Sequence, residues 1–231
     1  FDGSNDSLDC GNHAELWSQG LTNFSFSFWV YPTAGWDGVN RLLVRHGNGN
    51  HGFECDIDFS GSAIGKIYFI VNNSVGTDFE ANNGTSGGER LKKDKWNFVT
   101  CVYDSTLGSA NIKIYVNAVV GSVTANLTET INASETMELG GPSTDLKGYM
   151  KDFRFWKRKS LSAAEILQLY QGINEHELTP DFWLLMDEGE GNPKSYGLIG
   201  ILNDAVQWDH NSAYFNGINS HIDCKKETTL W

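Results

Sequence analysis

Three carboxylates occupy alternate positions of one short segment: Glu54, Asp56 and Asp58 in the run ECDID. A strand repeats its faces every two residues, so all three project from one side while Phe53, Cys55, Ile57 and Phe59 project from the other. Two carboxyl groups about 5 Å apart on one face are what retaining glycoside hydrolysis uses. The same row facing water is also an ordinary solvated strand face. His46 and His51 bracket HGNGNH, with Glu54 close behind, and two imidazoles with a carboxylate can hold zinc. Their spacing matches no zinc signature, and a glycine–asparagine hairpin tip explains the stretch equally well. No GxSxG, phosphate-binding loop or CxxC pair occurs.

Cysteine chemistry depends on a repeat. Phe1–Trp17 (FDGSNDSLDCGNHAELW) returns without gaps as Phe215–Trp231 (FNGINSHIDCKKETTLW), with seven of the seventeen positions identical. The copies are offset by 214 (215 minus 1), so Cys224 is the counterpart of Cys10. Each period then owns Cys10, Cys55 and Cys101. The candidates Cys10, Cys55, Cys101 and Cys224 therefore read either as one disulfide plus an odd thiol per period, or as buried thiols acting as small hydrophobes. The repeat itself points to a module followed by the opening of the next, or to an assembly of copies. N-x-S/T sequons stand at Asn5, Asn23, Asn72, Asn83, Asn126 and Asn132. Roughly three would arise by chance in so Asn- and Ser-rich a chain, and the excess favours a secreted glycoprotein.

Charge narrows the partners. The net charge is −12 over 231 residues, so a basic nucleic-acid footprint is absent and anionic membranes are disfavoured. Arg90, Lys92, Lys93 and Lys95 form a basic cluster that reads as a solvated loop. No apolar run is long enough to span a bilayer. The chain opens on Phe1 with no secretory leader, which predicts a processed product or an excerpt.

The elements that must position these groups are strands. FSFSFWVYP at 24–32 places Phe24, Phe26, Phe28 and Val30 on one face and Ser25 and Ser27 on the other, a half-buried strand. Strands are expected around 7–10, at 41–46, 53–59 and 66–71 (the last two a hairpin), within 76–95, at 96–104 and 110–118 (a second hairpin), at 137–139 and at 149–156. Ser162 with Glu165 three residues later forms a capping box, opening one short helix that Gly172 stops. Residues 174–180 are polar, end in Pro180 and read as a linker; 181–231 resume the strand pattern. So many short strands in sequence predict an all-β sandwich.

FDGSNDSLDC, FSFSFWVYP, WNFVTCVYD, KIYVNA, GYMKDFRFWKRKSLSAAEILQLY and WLLMDEGEGN, in that order, resemble the laminin G-like, concanavalin A-like family. The resemblance implies a two-sheet antiparallel jelly roll over residues 1–173, a linker at 174–180 and, over 181–231, either the start of a second repeat or permuted or donated strands. In that family the W-x-L-D-E-G and G-L-x-G-x-L segments precede the F-D-G strand, whereas here they precede only its second copy. The family's jelly-roll glucanases carry E-x-D-x-E or E-x-D-x-x-E, and this chain places the shorter Asp58 where the acid/base would stand. The resemblance also implies a structural calcium ion, for which Asp2, Asn5, Asp6, Asp152, Asp187 and Glu188 are candidate ligands. For a sugar platform Trp36 in the loop TAGWDG is the first candidate, ahead of Trp17 and Tyr196.

The resulting expectation is a secreted, non-catalytic structural or adhesive module that forms tandem arrays or filaments of copies of itself through its C-terminal segment. A lectin-like glycan-binding module is the alternative, and a jelly-roll glycosidase ranks third.

Overall fold

Phe24, Phe26 and Phe28 alternate along one strand and all three are fully buried, and the fold is built around that row. In the computed structural model their strand, β2 (Asn23–Pro32), lies at the centre of a seven-stranded sheet. The structure describes residues 7–11, 20–36, 41–47, 52–61, 64–84, 88–131, 136–141, 146–173 and 178–186, and the backbone of strands 195–196, 199–202, 206–209, 212–215 and 222–225. The remaining strands are β1 (Ser7–Asp9), β3 (Arg41–His46), β4 (Gly52–Asp58), β5 (Lys66–Asn72), β6 (Asp78–Asn82), β7 (Asn97–Asp104), β8 (Ile112–Val116), β9 (Val119–Val120), β10 (Met137–Gly140) and β11 (Gly148–Lys157). Helix α1 (Ala163–Gln171) follows, then β12 (Phe182–Leu184), β13 (Ser195–Tyr196), β14 (Ile199–Leu202), β15 (Val206–Asp209), β16 (Ser212–Phe215) and β17 (Ile222–Lys225).

Two sheets stack to make an all-β jelly-roll sandwich. One runs β14-β17-β1-β10-β3-β4-β5-β6 and the other β13-β12-β11-β2-β7-β8-β9. The expected hairpins β4/β5 and β7/β8 both form. Inward residues meet between the sheets: Phe24 of one and Phe53 of the other place their ring centroids 4.6 Å apart. Phe26 lies edge-on to Phe69 at 5.5 Å.

The seven-stranded sheet is covered on its outer side as well. Ser25 and Ser27, expected on a solvated face, are fully buried there. Ser25 accepts a hydrogen bond from the Leu161 amide and donates one to the Lys159 carbonyl. Above them α1 packs Ile166 and Leu169 with Leu161, Trp156, Phe98, Tyr115 and Leu178 into a second, smaller core. The capping box is formed: Ser162 accepts from the Glu165 amide and the Glu165 carboxylate accepts from the Ser162 amide. Gly172 ends the helix in the left-handed conformation, φ +67°.

The segment beyond the helix returns to the same sandwich. Leu178, inside the stretch read as a linker, is buried, and its carbonyl accepts the Trp156 indole N–H at 3.0 Å. Strand β12 pairs antiparallel with β11, and Phe182, Leu184 and Met186 are fully buried in the main core. Strand β17, from the second motif copy, lies parallel to β1 from the first, with Asp223 opposite Asp9. Those two residues are also counterparts in the repeat (9 plus 214).

Candidate functional site

The outer face of the eight-stranded sheet carries the acidic segment, and the strand registers align it into rows. Asp9 stands opposite Glu138, Glu138 opposite Arg45, Arg45 opposite Glu54, Glu54 opposite Ile70 and Ile70 opposite Glu80. The neighbouring row is Asp56, Tyr68 and Asn82, and the next pairs Asp58 with Lys66. Residues directly opposed in a sheet share a face, so these side chains form one polar surface. The alternation read from ECDID holds: Phe53, Cys55, Ile57 and Phe59 are buried in the main core.

Burial and like charge set the electrostatics of this surface. Arg45 donates to Glu138 at 2.6 Å, so its charge is shared between Glu138 and the Glu54–Asp56 pair. The Glu54 carboxyl is pushed up by desolvation and then by Asp78, against the pull of Arg45. Asp56 is pushed further, to about 7, by desolvation first and by Glu54 and Glu80, with Arg45 again opposing. Its Oδ1 is buried and has no hydrogen-bond partner. Asp58 is turned to local work, accepting the Ser60 amide at 2.6 Å. Next to Asp56, Tyr68 is half-buried with the Lys66 ammonium 4.4 Å from its ring centroid, and the Asn82 amide donates to Glu80. This surface can accept hydrogen bonds from hydroxyl groups, and Asp56 can donate one while it is protonated.

Other sequence candidates are placed differently. Trp36 is not an exposed platform: it is 3% exposed, packed on Phe59 with ring centroids 5.3 Å apart, because its loop folds back onto the sheet end. His46 stands opposite Phe53 and faces the core, whereas Glu54 faces outward, so they cannot share a zinc ion. His51 lies outside the described residues. Burial lowers the His46 imidazole to about 4, with a backbone hydrogen bond involving Thr136 opposing the shift.

Of the calcium candidates, Asp152 is described and it faces a cation of the chain's own. Its carboxylate accepts two bonds from Arg154, at 2.7 and 2.9 Å, and one from the Trp183 indole at 2.7 Å. Asp2, Asn5, Asp6, Asp187 and Glu188 lie outside the described residues. Among the described residues no group of three His, Cys, Asp or Glu side chains converges as a metal site would require.

Two sequon asparagines are buried in the fold. Asn83, 1% exposed, donates to the carbonyls of Gly65 and Glu89 and accepts from the Ile67 amide, and Asn72 is buried against Asp78. Asn126 is exposed and Asn23 half-buried; Asn5 and Asn132 lie outside the described residues. Cys10, Cys55 and Cys101 are buried free thiols, and Cys224 lies on β17. In the basic cluster Lys92 is paired with Glu89 at 2.7 Å and Lys93 lies over the Phe59 ring. Sequence reasoning missed Tyr68, Asn82, Arg45 and Glu138, because pairing register, not local pattern, brings them beside Glu54 and Asp56.

With this geometry, comparison with known proteins is direct. The family model described as the concanavalin A-like lectin/glucanases superfamily (Laminin_G_3) matches residues 2–167, and the chain belongs to that family. The binding domain of botulinum neurotoxin serotype G is similar in structure, with TM-score 0.59 and 17% identity over 94% of this chain and 61% of that one. The chain thus corresponds to part of that toxin domain. Domain 4 of the GH43 extracellular arabinanase AbnA from Geobacillus stearothermophilus, in complex with arabinotriose, is similar at TM-score 0.51 and 16% identity over 71% of this chain and 70% of that one. The native heptameric SAP-like pentraxin from Limulus polyphemus is similar at TM-score 0.50 and 11% identity, over 71% and 80% of the two chains. At these identities the likeness is one of fold. A search of curated proteins returns no match.

Proposed function

We propose that this chain is a non-catalytic carbohydrate-binding module of an extracellular protein, and that the outer face of its eight-stranded sheet takes neutral glycans. The observation that carries the reading is the polar row on that face: the partly exposed Asp56 carboxyl stands beside the half-buried Tyr68 ring, with Asn82 next in the row and Glu54 on the same strand face. A sugar hydroxyl can pair with the accessible part of that carboxyl, and the half-buried Tyr68 ring gives a pyranose a surface to rest on. The arabinanase domain holds arabinotriose and the binding domain of botulinum neurotoxin DC, similar at 18% identity, holds SialylT, which supports glycan recognition on this fold. The carboxylate rows and the net charge of −12 select against sialylated or sulfated glycans.

The same face argues against hydrolysis. Asp58, at the third position of the strand, is buried and bonded to its own turn.

A glycan array followed by calorimetry tests the reading. Neutral oligosaccharides are expected to bind, and Asp56→Asn and Tyr68→Ala are each expected to weaken binding by roughly tenfold or more. Equal binding by both variants sinks the assignment of this face. Reducing-sugar release from laminarin that disappears in Glu54→Gln sinks the non-catalytic part.

A second reading, contact between copies of the chain, is favoured by one observation. Strand β1 of the first motif copy and strand β17 of the second lie side by side in the same sheet, with β17 on the outer flank of β1. A strand able to lie beside β1 of its own chain can lie beside β1 of another.

A further inference from the structure

We infer that Cys55 and Cys101 form the chain's disulfide, a covalent staple between the two sheets that closes during folding. The sequence leaves the pairing open among four cysteines. Cys55 points inward from β4 and Cys101 inward from β7, one from each sheet, and both are fully buried. Their sheet neighbours also meet. Phe69 stands opposite Cys55, Phe26 stands opposite Cys101, and those two rings are 5.5 Å apart across the sandwich. The structure holds both as free thiols, and Cys55 is the side-chain neighbour that acts on the Cys101 thiol, which puts the two groups on facing positions of the core where an inter-sheet bond would close.

Burial decides when the bond can form. The Cys101 thiol is pushed up by burial and then by Cys55, so the folded protein presents almost no thiolate there. Thiol–disulfide exchange proceeds through the thiolate and needs access to the oxidant. The reaction therefore belongs to the open chain, before the sheets close. The oxidant is a low-molecular-weight disulfide. One cysteine thiolate attacks it, releasing one small thiol and leaving a mixed disulfide. The second cysteine thiolate then displaces the other small thiol, so two thiols of the protein are oxidised and one external disulfide is reduced to two thiols.

The test is oxidative refolding of the full chain in a mixture of oxidised and reduced glutathione. The product is then denatured without reduction, alkylated and mapped as peptides by mass spectrometry. The expected product is about 2 Da lighter, one bond's worth of hydrogen, with the Cys55 and Cys101 peptides linked. Alkylatable thiols fall from four to two and the denaturant midpoint rises above that of the reduced form. Alkylation of both Cys55 and Cys101 after oxidative refolding overturns the inference, as does a bond to Cys10 or Cys224 instead. A second arm exposes the folded, reduced protein to oxidised glutathione. Unmodified Cys55 and Cys101 are expected, and a glutathione adduct at either overturns the requirement for closure during folding. Mapping the unsubstituted chain leaves the result independent of whether a cysteine variant folds.

Discussion

Asp152 and Arg154, two residues apart on β11, form a bidentate ion pair over a β-bulge. The Arg154 guanidinium also lies 4.5 Å from the ring centroid of Trp183, whose indole N–H donates to Asp152. Arg154 is 3% exposed, so the carboxylate is what makes its burial tolerable. Asp152→Ala leaves that charge uncompensated and is expected to cost about 3–5 kcal/mol in urea unfolding. Adding Arg154→Met to Asp152→Ala is expected to recover much of the loss. A double variant as unstable as the single one contradicts the account.

Two desolvated groups titrate with opposite effect. Asp56 is raised from 3.8 to about 7, so over that interval the folded chain holds a proton the unfolded chain has lost, and stability falls as pH rises. His46 is lowered from 6.5 to about 4, so there the unfolded chain takes a proton the folded chain refuses, and stability falls as pH drops. Between pH 4 and 6.5 the slopes oppose each other, each at most about 1.4 kcal/mol per pH unit. Asp56→Asn is expected to unmask the histidine, with stability lost on acidification below 6.5. His46→Gln is expected to unmask the aspartate, with stability lost as pH rises toward 7. Chemical denaturation across pH 4–7.5 reads both; unchanged profiles in both variants would rule out these titrations as the cause.

The capping box holds down the lid over the smaller core. Ser162→Ala removes its accepting hydroxyl and is expected to cost about 1 kcal/mol. Because Ile166 and Leu169 cover Trp156, the loss should appear as a red-shifted tryptophan emission before global unfolding. A fluorescence change that coincides with global unfolding would show that helix and sandwich form one cooperative unit.

Self-contact is tested by size, and the structure dictates where to cut. Phe182, Leu184 and Met186 belong to the main core, so a truncation must spare residues 182–186. Light scattering on the full chain and on residues 1–186 is expected to show concentration-dependent oligomers for the full chain alone. If both are monomeric, the second motif copy does not connect molecules. Strands β1 and β17 meet at the register pair Asp9 and Asp223, a short pairing that a neighbouring copy can contest.

Much of the architecture was legible in local pattern. The alternation of Phe24, Phe26 and Phe28, the two hairpins, the capping box and the acidic face of β4 follow from periods of two and from short-range hydrogen bonding. Where packing between distant segments decides burial, local pattern misleads. Trp36 looked exposed because it sits in a glycine-flanked loop, and nothing local reveals that the loop packs its ring on Phe59. Ser25 and Ser27 looked solvated because their cover comes from residues 159–161 and α1, more than a hundred positions later.

The sequence by itself determined the strand content, the helix, the family and the repeat, because each is written in neighbouring residues. Tertiary structure alone decided which groups meet. On β11 a single extra residue at Asp152, φ +54°, shifts the register so that Met150, Phe153 and Phe155 all reach the core despite their odd spacing. Register likewise aligned Arg45, Glu54, Tyr68 and Asn82 on one face, and sheet stacking brought Cys55 to Cys101. Those juxtapositions join residues far apart in the chain, and they follow from backbone pairing and packing, which no local pattern encodes.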